Sequence, residues 1–176
     1  AGRHPMPEEL VCQVPLIKEV LDRMGVPRFE LSGYEADDLI GTISRMATDG
    51  GHTCVIVTGD RDALQLIDDR VTVKLVTTKA GRPETLTMDA TAFAGQYCGL
   101  PPAAMIDLKA LSGDKSDNIP GVAGIGDKTA LDLLCRFRSI DGIYQNIDSK
   151  DIRDSVRNKL KAGEEMARLS YQLAAI

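Results

Sequence analysis

The stretch Gly50-Gly-His-Thr-Cys-Val-Ile-Val-Thr-Gly-Asp60 decides the fold. Its middle, Thr53 to Val57, is a continuous β-branched and apolar run bounded by Gly-Gly and Gly-Asp. Such a run suits a strand covered on both faces, which implies a parallel sheet. Upstream, Leu39, Ile40, Ile43 and Met46 give a helical stripe from about Tyr34 to Thr48, with Gly50-Gly51 to end it. Before that, Pro7-Glu-Glu opens another stripe through Leu10, Val14, Ile17, Val20, Leu21 and Met24, closed by Gly25, whose ordinary use is packing. Downstream, Asp62 to Ile67 reads as a short helix, Val71 to Val76 as the next strand, and Thr85 to Thr87 as a short further one. Strand signals then fade into helices at about Asp89–Cys98, Pro102–Leu111, Lys128–Phe137, Ile140–Asn146 and Ile152–Leu173. Alternating helix and strand is an α/β signature, so the expectation is a partial parallel α/β layer over residues 1–100 and a mostly helical region over 101–176.

The 176 residues are 43% apolar and 27% charged, enough for a core that needs no metal or disulfide staple. Apolar runs stay well short of the ~20 residues that span a bilayer, and no charged-then-apolar leader is read at the start. Cys12, Cys54, Cys98 and Cys135 lie far apart, and are expected to be core thiols rather than zinc ligands or a disulfide framework. A net charge of −5, from 21 basic against 26 acidic residues, argues against a general nucleic-acid coat, so any such contact must be local. The start at Ala1, the apolar tail Leu169–Ile176 and the thin sheet suggest a piece of something longer.

Acidic residues fall in three groups. Glu35, Asp37 and Asp38 sit in the first turn of a helix, where they also serve as capping charges. Asp60 and Asp62 follow the apolar strand, at the carboxyl end where open α/β sheets place ligands, although an Asp-rich turn reads the same way. Asp114 and Asp117 lie in Gly113-Asp-Lys-Ser-Asp-Asn118, a loop by composition. Brought together, the three groups would repel one another unless a cation offset them. All-oxygen ligands favour magnesium or manganese over zinc. Two such ions would polarise a phosphodiester and acidify a water, so the implied reaction is phosphodiester hydrolysis.

The sharpest local signal is Ile119-Pro-Gly-Val-Ala-Gly-Ile-Gly-Asp-Lys-Thr-Ala130. Gly121, Gly124 and Gly126 allow a tight turn between helices, with Val122 and Ile125 pinning it to the core. Backbone N–H groups leading into a helix near Asp127, with Lys128 beside them, suit a phosphate oxygen. A plain helix–helix turn without a ligand remains the alternative. Lys115, Arg136 and Arg138 extend the basic surface, while Arg153, Arg157, Lys159 and Lys161 read equally as a solvated helix face.

With Gly33-Tyr-Glu-Ala-Asp-Asp38, Thr58-Gly-Asp-Arg-Asp62, Gly113–Asn118 and the glycine hairpin in this order, the chain resembles the flap-endonuclease superfamily, and within it the 5′-nuclease (5′-3′ exonuclease) domain of bacterial DNA polymerase I. The resemblance covers nearly the whole chain. It implies a PIN-like three-layer α/β core and a helix-three-turn-helix region, similar to helix-hairpin-helix binders of DNA backbone. It also implies two-metal hydrolysis of 5′ flaps, nicks, duplex 5′ ends and RNA primers, in a bacterial cytoplasm and beside the nucleoid, with a polymerase domain following. Glu35, Asp37, Asp60 and Asp62 then carry catalysis, and Asp38, Asp114 and Asp117 complete the Mg2+ or Mn2+ ligands. Gly121, Gly124, Gly126 and Lys128 contact DNA, Arg3 steers the scissile phosphate, and the backbone carbonyls of Val122 and Ile125 hold K+. Family members carry two further aspartates and a basic arch in a segment preceding Ala1, so this stretch alone is expected to be a weak or inactive nuclease. A DNA-binding fragment without catalysis and a magnesium phosphohydrolase of small esters remain as alternatives.

Overall fold

The computed structural model describes residues 6–79 and 81–176. Two compact units divide the chain, Ala1–Leu39 and Ile40–Ile176. In the first, the expected single helix is broken into α1 (Glu8–Val11) and α2 (Gln13–Arg23), with Cys12 between them. Neither helix contributes a buried residue, so the apolar stripe read as packing is exposed. Gly25, at φ +69°, ends α2 with its N–H bonded back to the Asp22 carbonyl, and Arg28 bridges Asp22 and Glu30. Helix α3 (Ala36–Asp49) begins here and continues into the second unit, where Gly51 at φ +82° closes it.

The second unit holds a sheet of β1 (Cys54–Thr58), β2 (Val71–Lys79) and β3 (Arg82–Met88), in that order. β1 and β2 run parallel, with Cys54 opposite Val71 and Ile56 opposite Val73. β3 is longer than expected and folds back antiparallel on β2, so the sheet is mixed. The two-faced burial expected of β1 is also corrected. Ile56 is 6% exposed, whereas Val55 and Val57 are more than half exposed, so one face alone is covered. The covered face, with Val71, Val73 and Met88, meets Phe93 of α4 (Ala90–Gln96) and Tyr97 just after it in one core. Asp89 caps α4 by accepting the Ala92 N–H.

Helices α5 (Ala104–Ser112), α6 (Asp127–Phe137) and α7 (Ile140–Gln145) follow. The expected long final helix is two, α8 (Asp154–Ala162) and α9 (Glu164–Ala174), and the reason lies at Gly163. A Cβ there would come within 2.8 Å of Val122 Cγ1, so a side chain is excluded where the two helices meet the hairpin. α5 packs against both α6 and α9 and is the central rod of this part. Cys98 and Cys135 are joined in a disulfide, contrary to the expected thiols, because the turn after α4 is carried next to α6, 37 residues on. Arg138 secures the same turn by donating to the Cys98 and Gly99 carbonyls.

Asp107 is a buried carboxylate on α5 whose Oδ1 accepts the Ile140 N–H at 2.8 Å, tying α7 to the rod. Burial pushes its carboxyl above the usual range, and this outweighs the Ile140 bond. The folded state therefore holds the proton more tightly than the unfolded chain, so this group favours folding at low pH and that advantage is lost as pH rises through its folded pKa. Asp107→Asn retains an acceptor and removes the charge. It is expected to flatten the pH dependence of urea unfolding between acidic and neutral pH, and Asp107→Ala, which also removes the titrating group but leaves the Ile140 N–H unpaired, should lie about 1–3 kcal/mol below Asp107→Asn at any pH.

Candidate metal centre and phosphate-binding hairpin

Asp60 and Asp62 leave the carboxyl end of β1 through a tight local turn. The Asp60 N–H bonds to Thr58 Oγ1, and Asp60 Oδ1 accepts the Asp62 N–H, each at 3.0 Å. Asp62 opens a 3₁₀ turn (Asp62–Leu66) whose Ala63 and Leu64 are buried, and that anchors its carboxylate. The second acidic loop is held just as locally. Asp114 and Ile119 exchange both backbone hydrogen bonds at 2.8 Å, and Asn118 takes φ +56°. The Ser116 N–H and hydroxyl both bond to Asp114 Oδ1.

These two pieces of chain meet. Carboxylate oxygens of Asp62, Asp114 and Asp117 lie within 4.8 Å of one another. Among them sits the ammonium of Lys109, a residue the sequence reading did not single out. Its Nζ faces Oδ2 of all three, closest at Asp62, 2.8 Å at Asp114 and 3.3 Å at Asp117, with a side chain only 12% exposed. Desolvation opposes a charge on Lys109, yet its bonds to Asp114 and Asp62 more than offset that and raise its pKa. For Asp62, desolvation dominates and pushes the carboxyl up despite Lys109, helped by the charges on Asp60 and Asp117. Asp114 is also partly desolvated, but Lys109 and Ser116 prevail and hold it at about 2. Three carboxylates against one ammonium leave excess negative charge in a half-buried place. An all-oxygen donor set already wrapped around a cation fits a hard divalent ion.

Glu35, Asp37 and Asp38 lie in the first unit, at the head of α3, where the Glu35 N–H bonds to Asp38 Oδ2 at 2.9 Å. That bond is a local capping contact. Arg3 falls outside the described residues.

The hairpin separates its glycines into two kinds. The DNA contact expected at Gly121 falls on a backbone whose N–H is already committed inside the chain. Gly121 is buried, its N–H is donated to Ser170 Oγ at 2.9 Å, and a Cβ would overlap Gly113 N at 2.2 Å. Its work is to let two backbone segments cross. Gly124 and Gly126 are exposed, as is Lys128 in the first turn of α6. Val122 and Ile125 are in the core, 2% and 3% exposed, and the Val122 carbonyl accepts the Ile125 N–H. Lys159, expected either on the phosphate-tracking surface or on a solvated helix face, donates to the Gly124 carbonyl at 3.0 Å. Arg136, Arg138, Arg157 and Lys161 are likewise engaged by carbonyls or acids, which reduces the basic surface expected from the sequence. Arg61, Lys115 and Lys128 remain along a cavity of about 680 Å³ between the acidic cluster and the start of α6, floored by Tyr97, Met105 and Leu131.

Comparison with known proteins identifies the family. Residues 1–97 match a family described as the 5′-3′ exonuclease N-terminal resolvase-like domain, and residues 100–176 match the 5′-3′ exonuclease C-terminal SAM fold. The chain belongs to the 5′-3′ exonuclease family. Among its relatives are DNA polymerase I of Caldicellulosiruptor bescii, 46% identical over 176 residues, and the thermostable DNA polymerase I of Thermus filiformis, 43% identical over 176. Each match takes in all of this chain and 20% of the relative, so the chain spans about a fifth of these proteins. Of solved structures, T5 5′-exonuclease described with bound divalent zinc aligns at TM-score 0.71 and 24% identity, over 96% of this chain and 62% of that one. The catalytic core of Rad2, described in complex with DNA substrate, aligns at 0.60 and 16%, over 97% and 55%. The fold is thus that of the PIN-like 5′-nucleases expected from the sequence, with a mixed rather than purely parallel sheet. No helix among the described residues is long and apolar enough to cross a membrane.

Gly121→Ala should cost about 2–4 kcal/mol, since both its positive φ and the Gly113 backbone oppose a methyl group. Gly126→Ala, where a Cβ meets nothing within 4 Å, should stay within about 0.5 kcal/mol of the parent in the same thermal unfolding series.

Proposed function

We propose that this chain hydrolyses phosphodiesters of DNA bearing a 5′ flap, nick or duplex 5′ end, and of RNA primers paired to DNA, as a metal-dependent 5′-3′ exonuclease and flap endonuclease. The observation that carries this reading is the convergence of Asp62, Asp114 and Asp117 beside a glycine hairpin, within a chain of this family. Asp60, Asp62, Asp114 and Asp117 of the second unit are assigned as Mg2+ or Mn2+ ligands, and Glu35, Asp37 and Asp38, at the head of α3, are assigned as metal ligands on the family resemblance alone, the complete domain taking two such ions. Once bound, such ions neutralise charge on the scissile phosphate and favour ionisation of water near pH 7. The chain's own part is to hold the acids, through the Asp60 turn and the Asp114–Ile119 bridge, and to seat the nucleic-acid backbone.

Gly124, Gly126 and Lys128 are assigned to a phosphate, supported by their exposure at the head of an 11-residue helix. Arg3 is assigned to the scissile phosphate, and the Val122 and Ile125 carbonyls to K+, on the family resemblance. The same proposal takes residues 1–100 as nuclease core and 101–176 as DNA-binding region, supported by the family matches ending at 97 and resuming at 100. It includes a polymerase domain continuing the chain, in keeping with the relatives' names, and, on the family resemblance alone, a site of action at the nucleoid of a bacterial cytoplasm.

One observation favours a second reading, a DNA-binding module without catalysis: Lys109 already neutralises part of the acidic cluster. A labelled 5′-flap duplex separates the two. Magnesium-dependent release of the flap strand, however slow, that is lost in Asp62→Ala while DNA retention is kept, is the expected result. Retention with no metal-dependent release would select the second reading. Lys128→Ala should weaken retention and lower the salt slope of log K by about one, the value for one lost phosphate contact.

A further inference from the structure

We infer that Lys109 is a resident counter-cation of the acidic cluster, which a divalent ion must displace from Asp62, Asp114 and Asp117 in order to bind. The inference rests on the metal reading above and concerns how that site is kept ready and how tightly it takes its ion. Its basis is geometric. The ammonium faces the same Oδ2 atom of each of the three acids, and these oxygens come from two separate pieces of chain. An ion that takes those oxygens competes for the point Nζ occupies, and two cations cannot share it.

The second observation is the surroundings of the lysine. Its neighbours on α5, Ala110 and Leu111, are fully buried, so its backbone is fixed while its four-carbon stem can rotate. Lys109 also lines the cavity that runs toward α6. That cavity gives the ammonium somewhere to go, along a wall with Arg61, Lys115 and Lys128. In the metal-free protein the lysine holds together three acids that would otherwise repel. In the loaded protein it stands on the side where phosphate is proposed to lie. Metal affinity is therefore set partly by an ion pair inside the chain.

Mn2+ uptake by the whole chain, followed from the electron paramagnetic resonance of the free ion, tests this with Asp114→Asn marking uptake at the cluster. Lys109→Met should bind Mn2+ about tenfold more tightly than the parent, equivalent to about 1.4 kcal/mol. Its melting temperature should fall without metal and recover with Mn2+. Unchanged or weaker uptake by Lys109→Met overturns the inference. Should that variant fail to fold, the parent chain decides. Modification with an amine-reactive ester, read by mass spectrometry, should find Lys109 protected without metal and labelled faster at saturating Mn2+. Equal or slower labelling with Mn2+ bound overturns displacement while leaving the metal reading intact. Absence of any Mn2+ uptake sensitive to Asp114→Asn removes both.

Discussion

Mutual repulsion of carboxylates is the constraint on which this molecule's site depends. Asp62, Asp114 and Asp117 place like charges within 4.8 Å of one another at partly desolvated positions. The energy of such charges grows as the effective dielectric falls, so the cluster persists only with a cation in it and a backbone that cannot relax away. Lys109 supplies the first condition. The second is met by short-range geometry: the Asp60 side chain bonded to the Asp62 N–H, the Asp114–Ile119 bridge, and the Ser116 bonds to Asp114. None of these needs a distant partner, so each acidic loop is shaped before the two are brought together.

Bringing them together is the task of α5 and the hairpin behind it. The Gly113 and Gly121 backbones pass so closely that a methyl group on either would meet main-chain atoms within 2.9 Å. Ser170 on α9 takes the Gly121 N–H, and Val122 fills the space that Gly163 leaves open. The acidic loop, the hairpin and the last two helices are thus one packing unit. The acidic cluster proposed to take metal and the start of α6 proposed to face phosphate share this connection, which would hold the proposed binding and hydrolysis at fixed spacing.

Much of this was legible in the chain. β1 and β2, α3 to α7 and the hairpin follow from apolar periodicity and glycine placement, because those signals are local. The departures have non-local causes. The break at Gly163 reflects Val122, some 40 residues earlier, and the bond between Cys98 and Cys135 depends on the turn after α4 lying against α6. The antiparallel return of β3 depends on a turn whose strand, Arg82–Met88, is exposed over nearly its whole length and so carries little hydrophobic pattern. For the site, the acids of the second unit could be read because paired aspartates after a strand and in a Gly-Asp loop are unusual. Lys109 could not, since one lysine in Ala-Met-Ile-Asp-Leu-Lys-Ala-Leu-Ser looks like an ordinary solvent-facing base.

The basic residues carry a related lesson about reading charge. Counting them along the sequence suggested a broad phosphate surface, but charge recruits nothing when its donors are already taken. Arg157 spends its guanidinium on three backbone carbonyls and Asp154, and Arg136 on the Asp151 carbonyl and Asp132. Lys159 closes over Gly124. Such residues hold helix ends and loops in a chain with net charge −5, and their field at the surface is largely cancelled locally. Along the cavity wall Arg61, Lys115 and Lys128 have side chains not taken up in this way, and they lie next to an acidic cluster that already contains a cation. A basic wall of that kind, local rather than general, is compatible with the proposed nucleic-acid substrate in a chain whose net charge is acidic.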